Sequence, residues 1–192
     1  MKVSIDALVS SAKSGAVVSF PTDTVPALAV LPEKSHLIFE TKQRSQDKPL
    51  ILMGATAEEL WPFCLGSQQE LQIWREVADR YWPGALTLVL PASDKVPITV
   101  NPLDPTTIGI RVPNSSIARQ ILAQTGPLAT TSANLSGQPP LETMAEIEAQ
   151  FPRVQILIWN DELKNQPGVP STVAKWMDNG WQILRQGEIK LW

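Results

Sequence analysis

Residues 16–26 read AVVSFPTDTVP and decide the fold class. The apolar run 16–20 predicts a short buried strand, and a polar turn over 21–26 follows it directly. Further strands are predicted at 49–53, 85–90, 107–112, 127–131, 154–159, 171–176 and 181–185. Helices are predicted at 4–14, 33–42, 56–65, 67–81, 115–125 and 142–151. This alternation predicts an α/β fold, and part of the sheet should be antiparallel because no helices separate the last strands.

The composition predicts a single globular domain over residues 1–192. Hydrophobic residues make up 43% of the chain, which is typical of a protein with its own core. The net charge of −3 disfavours a broad basic surface, so weak or no direct nucleic-acid binding is expected. The chain starts without a signal-peptide pattern and has no run of 18 apolar residues, which predicts a cytoplasmic protein that does not engage a membrane.

Several common chemistries lack the residues they need. His36 is the only histidine and Cys64 the only cysteine, so neither a disulfide within the chain nor a metal site is expected. We predict that His36 lies on a helix surface and that Cys64 is a small core residue. The sequence also lacks the GxxxxGK[ST], GxGxxG and GxSxG motifs, so the common phosphate loops and the serine-nucleophile elbow are excluded.

Three cations lie close together in this acidic chain, at Lys42, Arg44 and Lys48. Side chains two residues apart diverge on a helix, so Lys42 and Arg44 can converge on one ligand only if the helix ends near residue 42. A loop there would aim several donors at a phosphate. The alternative is a solvated helix end, where cations are favoured by the helix dipole.

Two polar turns follow predicted strands, at the position where ligands bind in α/β sheets. The run 130–137 carries Thr130, Ser132 and Asn134. The turn 21–26 carries the hydroxyls of Thr22 and Thr24 and the carboxylate of Asp23, which could orient a polar ligand. Small hydroxyl and amide side chains let a ligand approach the backbone closely. Both segments are also rich in residues that favour turns and caps, so a purely structural role stays open.

Arg111 lies in a predicted apolar strand, where an arginine is costly unless it is paired. Either an anionic ligand or a carboxylate of the protein itself would offset the cost of burying this charge. Two further short motifs, around Ser171 and Arg185, are weak in isolation.

Taken together and in order, these motifs resemble the threonylcarbamoyl-AMP synthase family, also called YrdC-like. The resemblance runs from about residue 16 to 187. It departs from the usual family pattern at Pro26-Ala27, where an aromatic residue and glycine are common, and at Ser45, where proline is common. The matching segments are Pro21–Thr24, Lys42–Arg44, Trp82–Gly84, Arg111–Pro113, Ser132–Asn134, Ser171–Val173 and Arg185–Gly187.

The resemblance implies a fold and a reaction. The fold is an open, twisted, mixed parallel and antiparallel sheet flanked by helices around a central concave cavity, in the short single-domain form. The reaction joins ATP, accompanied by Mg²⁺, to L-threonine and bicarbonate, and gives threonylcarbamoyl-AMP and pyrophosphate. Partner proteins then transfer the threonylcarbamoyl group to tRNA. The enzyme would therefore be a nucleotidyltransferase of tRNA modification.

The resemblance also implies roles for ten residues. Lys42, Arg44, Ser132 and Asn134 form the two catalytic signatures. ATP would contact Arg44, Lys48, Ser132 and Arg185. Threonine would contact Thr22, Arg111, Thr130 and Ser171, with Arg111 facing its carboxylate because the guanidinium fork matches a carboxylate.

Two other functions stay open at this point. An RNA-binding module on the same fold without synthase activity would use the same basic cluster, although the acidic balance argues against a duplex-RNA surface. A carbamoyltransferase domain that depends on carbamoyl phosphate is the other alternative, but such proteins normally carry further domains.

Overall fold

A computed structural model describes residues 1–159, 168–178 and 180–191 of the chain. Within these residues, ten strands form one mixed sheet in the spatial order β1-β8-β2-β3-β7-β4-β6-β5-β9-β10. The strands are β1 (Lys2–Val3), β2 (Val18–Phe20), β3 (Ala27–Val30), β4 (Ile51–Met53), β5 (Leu86–Pro91), β6 (Thr107–Arg111), β7 (Leu128–Ser132), β8 (Gln155–Leu157), β9 (Thr172–Met177) and β10 (Gly180–Arg185). Parallel and antiparallel pairs both occur, and the sheet is open, as predicted.

In the described part of the chain, five helices flank the sheet, and the sequence contains signals for where they start. They are α1 (Ile5–Lys13), α2 (His36–Lys42), α3 (Gln68–Tyr81), α4 (Ser116–Thr125) and α5 (Met144–Gln150). Ser67 begins α3 with a capping box, in which its hydroxyl accepts from the Glu70 N–H and the Glu70 carboxylate accepts from the Ser67 N–H. Thr143 and Glu146 form the same reciprocal cap at the start of α5.

The two faces of the sheet differ in what covers them. One face carries a cross-strand row of fully buried side chains, which packs against α2 and α3. That row is Ala129, Leu52, Ile110, Leu88 and Ala174. On the other face α1 and α4 pack beside β2 and β3. They do not cover the part of this face formed by β4, β6, β5 and β9, which is the floor of a cavity. Alternate residues of a strand point to opposite faces, so the neighbours of the buried row face this cavity.

The sequence-based assignment differs from the structure at one predicted helix and at two strands. Residues 56–65 form no α-helix; only the short 3-10 helix Trp61–Phe63 lies there, with Pro62 inside it. Proline lacks the N–H that a helix interior needs, so the segment cannot continue as an α-helix. Strands β1 and β3 were not predicted. Strand β3 follows Pro26 directly and all four of its residues are buried, so its sequence ALAV shows no alternation of polar and apolar residues.

Candidate active site

A cavity of about 470 Å³ lies over the uncovered part of the sheet. Its floor includes one cross-strand row, formed by Thr130, Ile51, Gly109, Val89 and Lys175. Gly109 has to be glycine there, because a Cβ atom would lie 2.6 Å from Ile51 Cγ2. The strands therefore build a concave surface whose depth depends on a residue without a side chain.

Six of the ten sequence-predicted site residues line this cavity together. They are Arg44, Arg111, Thr130, Ser132, Ser171 and Arg185. The other four, Thr22, Lys42, Lys48 and Asn134, are not among its lining residues. Thr22, Lys42 and Asn134 are buried behind the lining, whereas Lys48 is exposed on the loop beside it.

Lys42 supports the turn that carries Ser132 and Asn134. Helix α2 ends at Lys42, and Gln43 adopts a left-handed conformation with φ of 50°, as a helix end requires. The Lys42 ammonium is fully buried and donates to the Ser132 carbonyl and to Asn134 Oδ1, the latter at 3.3 Å. Burial lowers the pKa of Lys42 to about 7, and the charges of Arg44 and Lys48 act in the same direction. An incoming anion would relieve this repulsion.

Asn134 and Ser132 are tied to each other as well as to Lys42. The Ser132 hydroxyl donates to Asn134 Oδ1 at 2.6 Å. The Asn134 amide donates to the carbonyls of Leu135 and Gln138 at 2.8 and 2.7 Å. The asparagine therefore fixes the shape of the turn, and Ser132 is the member of the pair that reaches the cavity.

Arg44 lines the cavity and is held by its own loop. Its Nε donates to the Lys48 carbonyl at 2.9 Å, and Nη2 donates to the Pro49 carbonyl at 3.1 Å. Burial lowers the pKa of Arg44, while the Asp47 carboxylate raises it. The guanidinium is thus oriented before any ligand arrives.

Arg111 is paired inside the protein. Its Nη2 donates to Asp23 Oδ1 at 2.6 Å, Nη1 donates to Thr24 Oγ1 at 2.9 Å, and Nε donates to the Gly84 carbonyl at 3.0 Å. Burial lowers the pKa of Arg111, and the Asp23 carboxylate counters that effect. The sequence left open whether Arg111 pairs with a ligand or with a carboxylate of the protein, and Asp23 is such a carboxylate. Two of the five N–H groups of the guanidinium have no acceptor among the described residues, and Arg111 lines the cavity.

The Thr22 hydroxyl serves the turn that carries Asp23 and Thr24. It donates to the Val25 carbonyl at 2.7 Å and accepts from the Thr24 N–H at 3.1 Å. It also lies 3.1 Å from the Thr24 hydroxyl. Thr24, rather than Thr22, lines the cavity.

Ser171 and Arg185 meet at the wall formed by β9 and β10. Arg185 donates to the Ser171 carbonyl at 3.0 Å and to its hydroxyl at 3.2 Å. Thr87 Oγ1 lies 2.8 Å from the same hydroxyl. Gly187 permits this contact, because a Cβ atom there would lie 2.4 Å from the Pro170 carbonyl oxygen. Burial lowers the pKa of Arg185.

Several lining residues were missed by the sequence analysis. They are Asp47, Thr87, Asn101, Asp104, Thr107 and Lys175. Thr87 and Lys175 are each a polar residue between apolar neighbours in a strand. Because neighbouring residues of a strand point to opposite faces, this pattern could have identified both as facing a cavity. The loop residues Asn101 and Asp104 show no comparable pattern. Pro26 and Ala27, where the sequence departs from the usual family pattern, also line the cavity.

The described residues contain no helix long and apolar enough to cross a membrane. They also contain no group of three or more histidine, cysteine, aspartate or glutamate side chains placed to hold a metal ion. His36 is exposed at the start of α2, and Cys64 is buried, with its pKa raised by burial to about 12.

An open mixed sheet whose concave face gathers three arginines and several hydroxyls suits an α/β enzyme with small-molecule substrates. The family model Sua5_yciO_yrdC, described as "Telomere recombination", matches residues 10–187. The chain therefore belongs to the Sua5/YciO/YrdC family.

Two curated relatives carry the same name. A protein of Vibrio campbellii named threonylcarbamoyl-AMP synthase is 35% identical over 91% of this chain and 94% of its own length. A protein of Pyrococcus abyssi with the same name is 35% identical over 93% of this chain, which spans about half (52%) of that relative. These relatives support an enzyme of the nucleotidyl-transfer type over an RNA-binding module.

Solved structures agree with the fold. P. abyssi Sua5 complexed with L-threonine superposes with a TM-score of 0.85 and 31% identity, covering 95% of this chain and 54% of that one. E. coli YciO superposes with a TM-score of 0.83 over 97% of this chain and 90% of that one, at 24% identity. The open mixed sheet is thus the architecture of the family.

Proposed function

We propose that this chain is an L-threonylcarbamoyladenylate synthase that forms threonylcarbamoyl-AMP and pyrophosphate from ATP, L-threonine and bicarbonate. One observation carries the proposal: a single cavity is lined by three of the four residues predicted for each substrate. They are Arg44, Ser132 and Arg185 for ATP and Arg111, Thr130 and Ser171 for threonine. Relatives of nearly equal length with this name support it, as does a related protein complexed with L-threonine.

The threonine end is proposed to lie at Arg111. The two free N–H groups of its guanidinium suit an α-carboxylate, because two parallel hydrogen bonds match the planar fork. Thr130 and Ser171 place hydroxyls on the same concave face. Thr22 acts indirectly, because its hydroxyl holds the turn that positions Thr24.

The ATP end is proposed to lie at Arg44, Ser132 and Arg185, with Lys48 at its rim. The positive charge of the two arginines would offset the charge of the phosphates as pyrophosphate leaves. Lys42 and Asn134 hold the Ser132 turn in shape. Mg²⁺ would accompany ATP and be held mainly by phosphate oxygens and water, which suits the hard oxygen ligands it prefers.

The chemistry needs no protein nucleophile. Threonine and bicarbonate give a carbamate with loss of one water molecule. An oxygen of the carbamate then attacks the α-phosphorus while the bond to pyrophosphate breaks. Residues of the cavity act by placing the two reactants in line and by neutralising charge. A carbamate is unstable in water, so a recessed cavity rather than a flat surface suits this intermediate.

We further propose that residues 1–192 act as one domain in the cytoplasm and pass the product to tRNA threonylcarbamoyl-transfer proteins. Strands from the beginning and the end of the described chain belong to one sheet, which supports a single unit.

The first prediction tests the function itself. Purified protein should release pyrophosphate from ATP only when threonine and bicarbonate are both present, because the carbamate is the attacking group. The measurement is coupled pyrophosphate detection, with the adenylate identified by mass spectrometry. Equal release without threonine would contradict the synthase assignment.

A second prediction concerns Pro26, which lines the cavity where an aromatic ring is usual in the family. Without the ring, discrimination between threonine and serine should stay within about 10- to 200-fold, the range set by one methyl group. Pro26→Tyr should tighten threonine binding by rebuilding that wall. The measurement is the ratio of kcat/KM for threonine over serine in both proteins. A parent that rejects serine by more than about a thousandfold would show that another group closes the pocket.

A further inference from the structure

Two cavities lie on either side of the ion pair between Asp23 and Arg111. Arg111 and Thr24 line the 470 Å³ cavity described above. Asp23 instead lines a second, more open cavity of about 1090 Å³, together with Thr22 and Gly84. The carboxylate and the guanidinium therefore face different spaces and meet in the wall between them.

The structure assigns Asp23 a positioning role: we propose that it holds the Arg111 guanidinium in the one orientation that turns its two free N–H groups toward the substrate carboxylate. This inference rests on the proposed function, since the ligand of those N–H groups is the carboxylate of threonine. The family resemblance gives no role to Asp23.

The contacts explain why Asp23 would matter for orientation. A guanidinium is planar, so fixing Nη2 on Asp23 at 2.6 Å and Nε on the Gly84 carbonyl at 3.0 Å defines its plane. Thr24 on Nη1 then leaves one N–H on each terminal nitrogen for a ligand. Of the three acceptors, only Asp23 carries charge, and charge-assisted hydrogen bonds are about twice as strong as neutral ones.

The contacts also argue against a direct role in binding. Asp23 is not among the residues that line the substrate cavity, so it reaches the ligand only through Arg111. The Arg111 side chain is 3% exposed and that of Asp23 is 13% exposed. Without the Asp23 carboxylate, the buried charge of Arg111 would have no compensating partner, and the guanidinium would be free to turn away from the substrate.

The experiment measures KM for threonine and for ATP separately, in Asp23→Asn and Asp23→Ala. Asp23→Ala should raise KM for threonine by about tenfold or more, because a misoriented Arg111 would lose a charge-assisted contact with the threonine carboxylate. Asp23→Asn keeps an acceptor oxygen without the charge, so its KM for threonine should rise by about three- to tenfold. KM for ATP should stay within about twofold in both, since Arg44 and Arg185 are untouched.

Glu188→Gln is the matched control, because Glu188 lines the same outer cavity and forms no ion pair with Arg111. It should leave both KM values unchanged. If Asp23→Ala does not fold, Asp23→Asn alone decides. An unchanged KM for threonine, or equal rises for threonine and ATP, would overturn the positioning role even if the parent protein is an active synthase. A parent without threonine-dependent pyrophosphate release would instead overturn the proposed function.

Discussion

Replacing Arg111 by methionine should lower kcat/KM for threonine by at least about a hundredfold, because a charge-assisted contact contributes about 1.5–3 kcal/mol and the fork makes two of them. The same change should lower the free energy of unfolding by about 3–5 kcal/mol, since it leaves the carboxylate of Asp23 without its partner. Threonine-dependent pyrophosphate release and urea unfolding measure the two effects.

The two losses can be separated. In the double variant Asp23→Asn with Arg111→Met, no unpaired carboxylate remains, so most of the stability should return while activity stays low. Arg153→Met is the control, because Arg153 is exposed and does not line the site cavity. Activity that returned together with stability in the double variant would show that Arg111 supports the fold rather than the substrate.

The sequence predicted the class of fold because periodicity and chain breaks are local properties. Strands such as 107–111 and helices such as 68–81 carry their own pattern. Strand β3 does not, since it is buried on both faces and follows a proline. Its place between β2 and β7 depends on residues far away in the chain, which no local pattern contains.

The candidate site was predicted unevenly for a similar reason. Arg111 was identified because a charged residue in an apolar strand needs a partner, and the sequence left open whether that partner was a ligand or a carboxylate. Asp23 supplies it across 88 positions of sequence, a pairing that only the folded chain reveals. Thr22 was proposed for the ligand, yet its hydroxyl is used within its own turn. Hydroxyls satisfied locally and those left for a ligand look the same in a sequence.

Lys42 gives a prediction that depends on pH. Its pKa is about 7 in the folded protein, against an ordinary value of 10.5, chiefly because the ammonium is buried. Between these two values the unfolded chain holds a proton that the folded protein has released. The free energy of unfolding therefore rises with pH across this window, and the cost of burying the charge is greatest below about pH 7.

Lys42→Met removes the titrating group, so the stability of the parent relative to this variant should rise by about 2 kcal/mol from pH 7 to pH 9, since one pKa unit corresponds to about 1.4 kcal/mol. Urea unfolding at both pH values, without nucleotide, is the measurement. Lys13→Met, at the exposed end of α1, is the control and should follow the parent. Parallel pH dependence in the parent and Lys42→Met would mean that the Ser132 carbonyl and Asn134 keep the buried ammonium charged. Lys42, Arg44 and Lys48 would then all be charged across this pH range, and Lys42 would take up no proton when ATP binds.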